Sequence, residues 1–143
     1  MLAHRNYLNF EFESEGPNGT IKKIVTFSPV HAGGTTYFNL AFGHWDQETN
    51  ELDDLAVSNN RDTNKILATV ADTVIEFINH FTDMSVIAEG SNAARTRLYQ
   101  MGISRRLVEI EEILDVYGLK NGNWVRFQKN VNYEAFLVRK KRE

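Results

Sequence analysis

The first part of the chain alternates apolar and polar side chains with the two-residue period of a strand. Leu8, Phe10 and Phe12 share one face, and Tyr7, Asn9, Glu11 and Glu13 take the other, which predicts a half-buried strand. Gly16-Pro17-Asn18-Gly19 supplies residues suited to fixed or positive φ and so a turn. On the return run Ile24 is opposite in parity to Val25 and Phe27, so both faces carry apolar weight. The two runs predict a hairpin. Beyond Gly33-Gly34 a third strand is expected from about Thr35 to Phe42, with Phe38, Leu40 and Phe42 on one face. Gly43 to Asn50 reads as a polar turn, and a fourth strand is expected near Leu52 to Ser58.

The period then lengthens. Ile66, Leu67, Val70, Val74, Phe77, Ile78 and Phe81 recur at helical spacing, with Asn60 or Asp62 placed to cap the start. Val86-Ile87-Ala88, within Ser85 to Glu89, shows no alternation and predicts a short central strand. Gly90-Ser91 opens a second helix with Ala94, Leu98 and Met101 inward, and Gly102 is expected to interrupt it. A third helix would carry Leu107, Ile110, Ile113, Leu114 and Tyr117 and end at Gly118. Trp124 to Phe127 and Tyr133 to Val138 close the chain as two strands joined through Lys129-Asn130. The expected fold is a single α/β (α+β) domain over residues 1–143. Its sheet is mixed and mostly antiparallel, of about seven strands with three helices, in the order ββββ-α-β-α-α-ββ. The strand–helix–strand unit through residues 52–89 should cross right-handed and pair parallel.

Composition narrows the classes. The chain has 143 residues, 42% apolar, which excludes intrinsic disorder and permits a real core. With no cysteine there is no disulfide scaffold, thiolate zinc site or cysteine nucleophile. No apolar run approaches the roughly 18 residues of a membrane helix, and Met1 to Arg5 leads straight into a strand pattern. No signal peptide and no membrane partner are therefore expected, and the default location is cytoplasmic. A net charge of −3 argues against a general nucleic-acid coat protein. Positive charge is nevertheless concentrated: Ser91 to Val108 holds four arginines and no acid. Residues 139–143 form a basic stretch expected to fray.

Asn92-Ala93-Ala94-Arg95-Thr96-Arg97-Leu98-Tyr99-Gln100-Met101-Gly102-Ile103 resembles the second core helix of the GNAT superfamily of coenzyme A-dependent N-acetyltransferases. In that helix Asn, Leu and Tyr have the same spacing. The resemblance covers about Leu52 to Val138 and implies a GNAT-like core, a coenzyme A derivative as cofactor, and Tyr99 as general acid. Asp54 or Glu89 would then assist the amine. The stretch Asn59 to Lys65, where that superfamily places a glycine-rich phosphate loop, contains no glycine. Over its whole length the chain also resembles a family of small bacterial proteins of unknown function. The segments that carry this likeness are Leu52 to Asn60, Glu89-Gly90-Ser91, Ala94 to Gln100 and Asn132 to Val138.

The candidate site is the junction of the fifth strand and the second helix. Helix first-turn amides lack internal partners and attract anions. Ser91 is placed to cap, Asn92 adjoins it, and Arg95 one turn on offers a two-pronged contact to phosphate or carboxylate. Arg97 lies about 200° from Arg95 around a helix, so both cannot face one ligand. Asn59 and Asn60 could add amides if the fourth and fifth strands are neighbours. The competing reading is a capped helix whose arginines pair with nearby carboxylates, and Tyr99 fits a core position as well as a catalytic one. His4, His31, His44 and His80 lack ligand spacing, so no metal is expected. The functional expectation is an anionic small molecule, acyl-CoA or nucleotide-like. The alternative is a non-enzymatic interaction module or homodimer, and nucleic acid is not an expected partner.

Overall fold

The computed structural model of the chain describes residues 2–3, 7–17, 19–46, 51–53 and 63–141. Asn18, the end of the expected turn before residue 51, most of the expected Leu52 to Ser58 strand, the Asn60 and Asp62 cap candidates and the last two residues lie outside them. The elements are β1 (Leu2–Ala3), β2 (Asn9–Gly16), β3 (Gly19–Ala32), β4 (Thr35–Asp46), β5 (Glu51–Asp53) and α1 (Thr63–His80). There follow β6 (Ser85–Ala88), α2 (Ala93–Arg105), α3 (Leu107–Ile113), β7 (Leu114–Lys120), β8 (Asn123–Arg126) and β9 (Phe136–Lys140). They form one mixed sheet in the order β1-β2-β3-β4-β6-β9-β7-β8, with β5 on β4. Among the described strands only β4 and β6 pair in parallel. The expected element order is present as β2 to β5, α1, β6, α2, α3, β8 and β9, and β1 and β7 are additional.

The core gathers strand residues of one parity: Phe10, Val25, Phe27, Leu40, Val86, Val116 and Phe136 are buried together with Ile66, Val70, Phe77 and Ile78 of α1. Phe77 stacks on Phe27 at 4.4 Å and leans on Phe38 at 5.0 Å between ring centroids, offset and tilted contacts that aromatic quadrupoles favour. The helical stripe read from Ile66 to Phe81 is therefore core, with Phe81 packed against it one residue past the end of α1.

Several expectations are corrected. The third helix stops at Ile113, and Leu114 to Lys120 is a strand between β9 and β8. Leu114 and Tyr117 fit a helical period, but Leu114, Val116 and Gly118 also fit a period of two, and it is these three that are buried. Ile113, which lengthened the helical pattern, is 38% exposed. Gly118 ends no helix: the Tyr133 ring lies directly on it, and a Cβ there would come within 2.7 Å of the ring's Cε1. The two closing strands do not pair with each other but flank β7. Gly43 to Asp46 continues β4 instead of turning. The parallel partner of β6 is β4, through Phe38–Val86 to Leu40–Ala88, and not the strand next to the helix in sequence.

Two more concern the helices and the end of the chain. Gly102 does not interrupt α2, which runs on to Arg105. Gly102 instead lets α2 approach α1, where its Cβ would meet that of Leu67 at 3.3 Å. The inward face of α2 is Arg95 and Tyr99; Ala94 is exposed and Leu98 and Met101 are only half-buried. The basic end belongs to the sheet as far as it is described. Arg139 and Lys140 complete β9, and Lys141 donates to Ile113 O at 2.9 Å and, through Nζ, to Glu111 O at 3.0 Å. Arg139 also donates to the Tyr117 hydroxyl at 2.8 Å.

Candidate functional site

Strand β6 leaves the sheet at Ala88, and Glu89 to Asn92 carry the chain into α2. Asn92 is the N-cap: its extended backbone and Oδ1, which accepts from Arg95 N at 2.8 Å, satisfy one of the helix's orphan amides. Ser91, expected in that role, lies one residue outside the helix and is exposed. Both residue types cap well, and only the backbone geometry chooses between them. Thr96 ties this turn to the strand. Its Oγ1 accepts from Gly90 N at 3.0 Å and donates to Asn92 O at 3.2 Å. Glycine at position 90 is required, since a Cβ would overlap the Thr96 amide and lie 2.7 Å from the Arg95 carbonyl carbon.

The two arginines part. Arg95 turns to the sheet, 8% exposed, with its Cζ 5.1 Å from the Phe42 ring centroid. Lys23, 2% exposed, places Nζ 5.9 Å from the same ring. Arg97 points the other way, onto a polar cleft of about 570 Å³. One wall of that cleft is Asn92, Ala93, Thr96, Arg97 and Gln100 of α2; Glu89 and Gly90 lie at the strand end, and Asn132, Tyr133 and Glu134 form the opposite wall. Such volumes suit small ligands.

The sequence pattern alone assigns no site role to the second wall. It stands against α2 because Gln100 Nε2 donates to Val131 O at 2.6 Å. Glu134 N donates to Leu119 O at 2.8 Å, and the Tyr133 hydroxyl accepts from Gln128 N at 2.9 Å. The available sequence signal was the Gly118–Tyr133 pair, an unexplained glycine and an aromatic residue that only a close approach makes intelligible.

Tyr99 is 7% exposed and borders an apolar cavity of about 70 Å³ between the helices and the sheet, together with Leu67, Val70, Gly102 and Ile103. It is not on the polar cleft. Asp54, Asn59 and Asn60 lie outside the described residues. Among the described residues no group of three histidine or carboxylate side chains could hold a metal ion, and no helix is long and apolar enough to cross a membrane. Among the described residues no serine, cysteine or histidine lines the polar cleft. Its carboxylates, carboxamides and guanidinium are equipped to recognise a charged or polar molecule.

The chain belongs to a family of unknown function, DUF6934, whose model matches residues 1–141. No curated protein and no solved structure matches it.

Proposed function

Taking membership of that family as the premise, we propose that the protein binds a small molecule whose anionic group docks where β6 meets α2. Acyl-CoA derivatives and nucleotides are the first classes to test. The observation that carries this is the polar cleft beyond the carboxyl end of a strand in the sheet's parallel pair, walled by the first turns of a helix. Ligands of open α/β sheets collect at such ends, and a helix start favours negative charge. Arg97 supplies the guanidinium on the cleft side, with Asn92 and Gln100 as further polar contacts. Asn59 and Asn60 remain assigned to the ligand on sequence alone.

The acyltransferase version rests on the GNAT resemblance. In this version Tyr99 is the acid and Asp54 or Glu89 the base. Glu89 borders the cleft, whereas the burial of Tyr99 beside an apolar cavity supports packing over proton transfer.

Isothermal titration with acetyl-CoA and a nucleotide panel tests the reading. Submillimolar binding that Arg97→Ala weakens by about tenfold is the expected result. No binding at millimolar ligand, or binding indifferent to Arg97→Ala, overturns it. A second reading, an interaction module or homodimer, is favoured by the other face of the sheet. There Tyr37, Ile87, Leu137 and Tyr117 are half-buried and Trp124 is 40% exposed, with no described helix over them. Edge strand β8 could also accept another chain. Light scattering that finds a monomer, together with no co-purifying protein, would remove this reading.

A further inference from the structure

The helices pack on one face of the sheet, and no described helix covers the other. Register fixes what stands together on that open face. Ile87, Leu137 and Tyr117 are direct cross-strand neighbours on β6, β9 and β7, and Arg126 of β8 is next to Tyr117. In the adjoining rows Arg139 lies opposite Asp115, and Trp124 opposite Leu119. Tyr37 and Val30, paired across β4 and β3, extend the apolar middle. These residues alternate with Val86, Phe136, Val116 and Gly118, which are buried on the helix side, and so they stand away from the core.

Charge is divided between the two sides of this apolar middle. On β2, Glu11, Glu13 and Glu15 alternate with the buried Phe10, Phe12 and Ser14 and so share the open face. Lys22 is the cation that register sets beside them, opposite Glu13 and 3.3 Å from Glu11. On the far side Arg126 and Arg139 share one carboxylate: Arg126 Nη1 is 3.3 Å and Arg139 Nε 3.9 Å from Asp115. Both guanidiniums also lie against the Tyr117 ring, at 5.8 and 5.1 Å from its centroid. The surplus among these residues is negative on the β2 side and positive on the β8 side.

We propose that this open face closes on the same face of a second copy, the β2 side of each protomer against the β8 side of the other. This rests on the second reading above, an interaction surface on the open face, and names its occupant. A two-fold axis lying in the interface exchanges the two sides of the face. A patch that is acidic on one side, apolar in the middle and basic on the other is then complementary to itself. Aromatic residues such as Tyr37, Tyr117 and Trp124 are the type that carries interface energy. From β2 to β8 the face spans six strand spacings, about 29 Å, room for a patch near the roughly 800 Å² that each partner of a stable dimer contributes. The carboxylates of the face outweigh its cations, which disfavours a nucleic-acid strand as occupant.

The test is sedimentation velocity of the full chain over a concentration series reaching about 100 μM. The parent should form a dimer that raised salt weakens. Arg126→Glu, and separately the double variant Glu13→Arg, Glu15→Arg, should each weaken self-association about tenfold, because like charges then meet at both symmetric contacts. Mixed in equal amounts, the two variants should associate about as tightly as the parent, since each supplies the sign the other needs. An unchanged midpoint of thermal unfolding shows that the variants fold, and the salt series needs no variant. A dimer indifferent to salt and to both variants uses another surface and overturns the inference. A parent that stays monomeric also overturns it. If another protein then co-purifies and Trp124→Ala releases it, the interaction reading stands with a different occupant; if none does, both fail.

Discussion

Arg95 and Arg97 leave α2 two residues apart and reach opposite surroundings. Arg95 lies under the sheet with its guanidinium against Phe42, while Arg97 stands exposed on the polar cleft. Two residues turn a helix by about 200°, so one helix serves two masters: Arg95, Tyr99 and Gly102 fit it to the sheet and α1, and Asn92, Thr96, Arg97 and Gln100 build the cleft. The comparison teaches that a cluster of like charges in sequence need not be a cluster in space. Only one arginine of this pair is available to a ligand in the cleft.

Five substitutions break or sharpen that division. Gly90→Ala acts on both faces at once, because its Cβ collides with backbone at the start of α2. Urea denaturation should show a loss of about 3 kcal/mol, and full stability would mean that α2 is not locked to the end of β6. Arg95→Ala removes a buried cation–π contact and the packing of its methylenes. The expected loss is about 2 kcal/mol, with thermal unfolding as the readout; an unchanged midpoint would place Arg95 among the surface residues. Asn92→Ala deletes the cap and should cost about 1 kcal/mol in the same measurement. Ser91→Ala, one position earlier, should do almost nothing. Arg97→Ala should stay within about 0.5 kcal/mol of the parent while weakening ligands of the cleft. If Arg97→Ala destabilised the fold as much as Arg95→Ala, the two faces would not differ in kind.

Much of the architecture was legible in period alone. Leu8, Phe10 and Phe12, then Phe38, Leu40 and Phe42, then the stripe from Ile66 to Phe81 carry one clear repeat each, and each forms the element its repeat predicts, with Leu8 and Phe81 one residue outside β2 and α1. Leu114 to Gly118 carries two repeats at once, and the vacancy between β9 and β8 selects the strand. The site was half legible. The junction of β6 and α2 is local in sequence and was legible, but the reading put Ser91 at the cap and Arg95 on the ligand, whereas Asn92 caps the helix and Arg97 borders the cleft. Asn132 to Glu134 were missed as a wall because they reach α2 only through long-range hydrogen bonds.

By itself, then, the order of residues determined which segments are strands and helices wherever one hydrophobic period dominated, and it located the start of α2. Tertiary structure decided which strand β6 pairs with, which way each arginine faces, why positions 90 and 118 must be glycine, and what stands across the cleft. The physical reason is that periodicity and capping act over a few residues. Close approach, burial and the meeting of walls far apart in sequence exist only once the sheet is assembled.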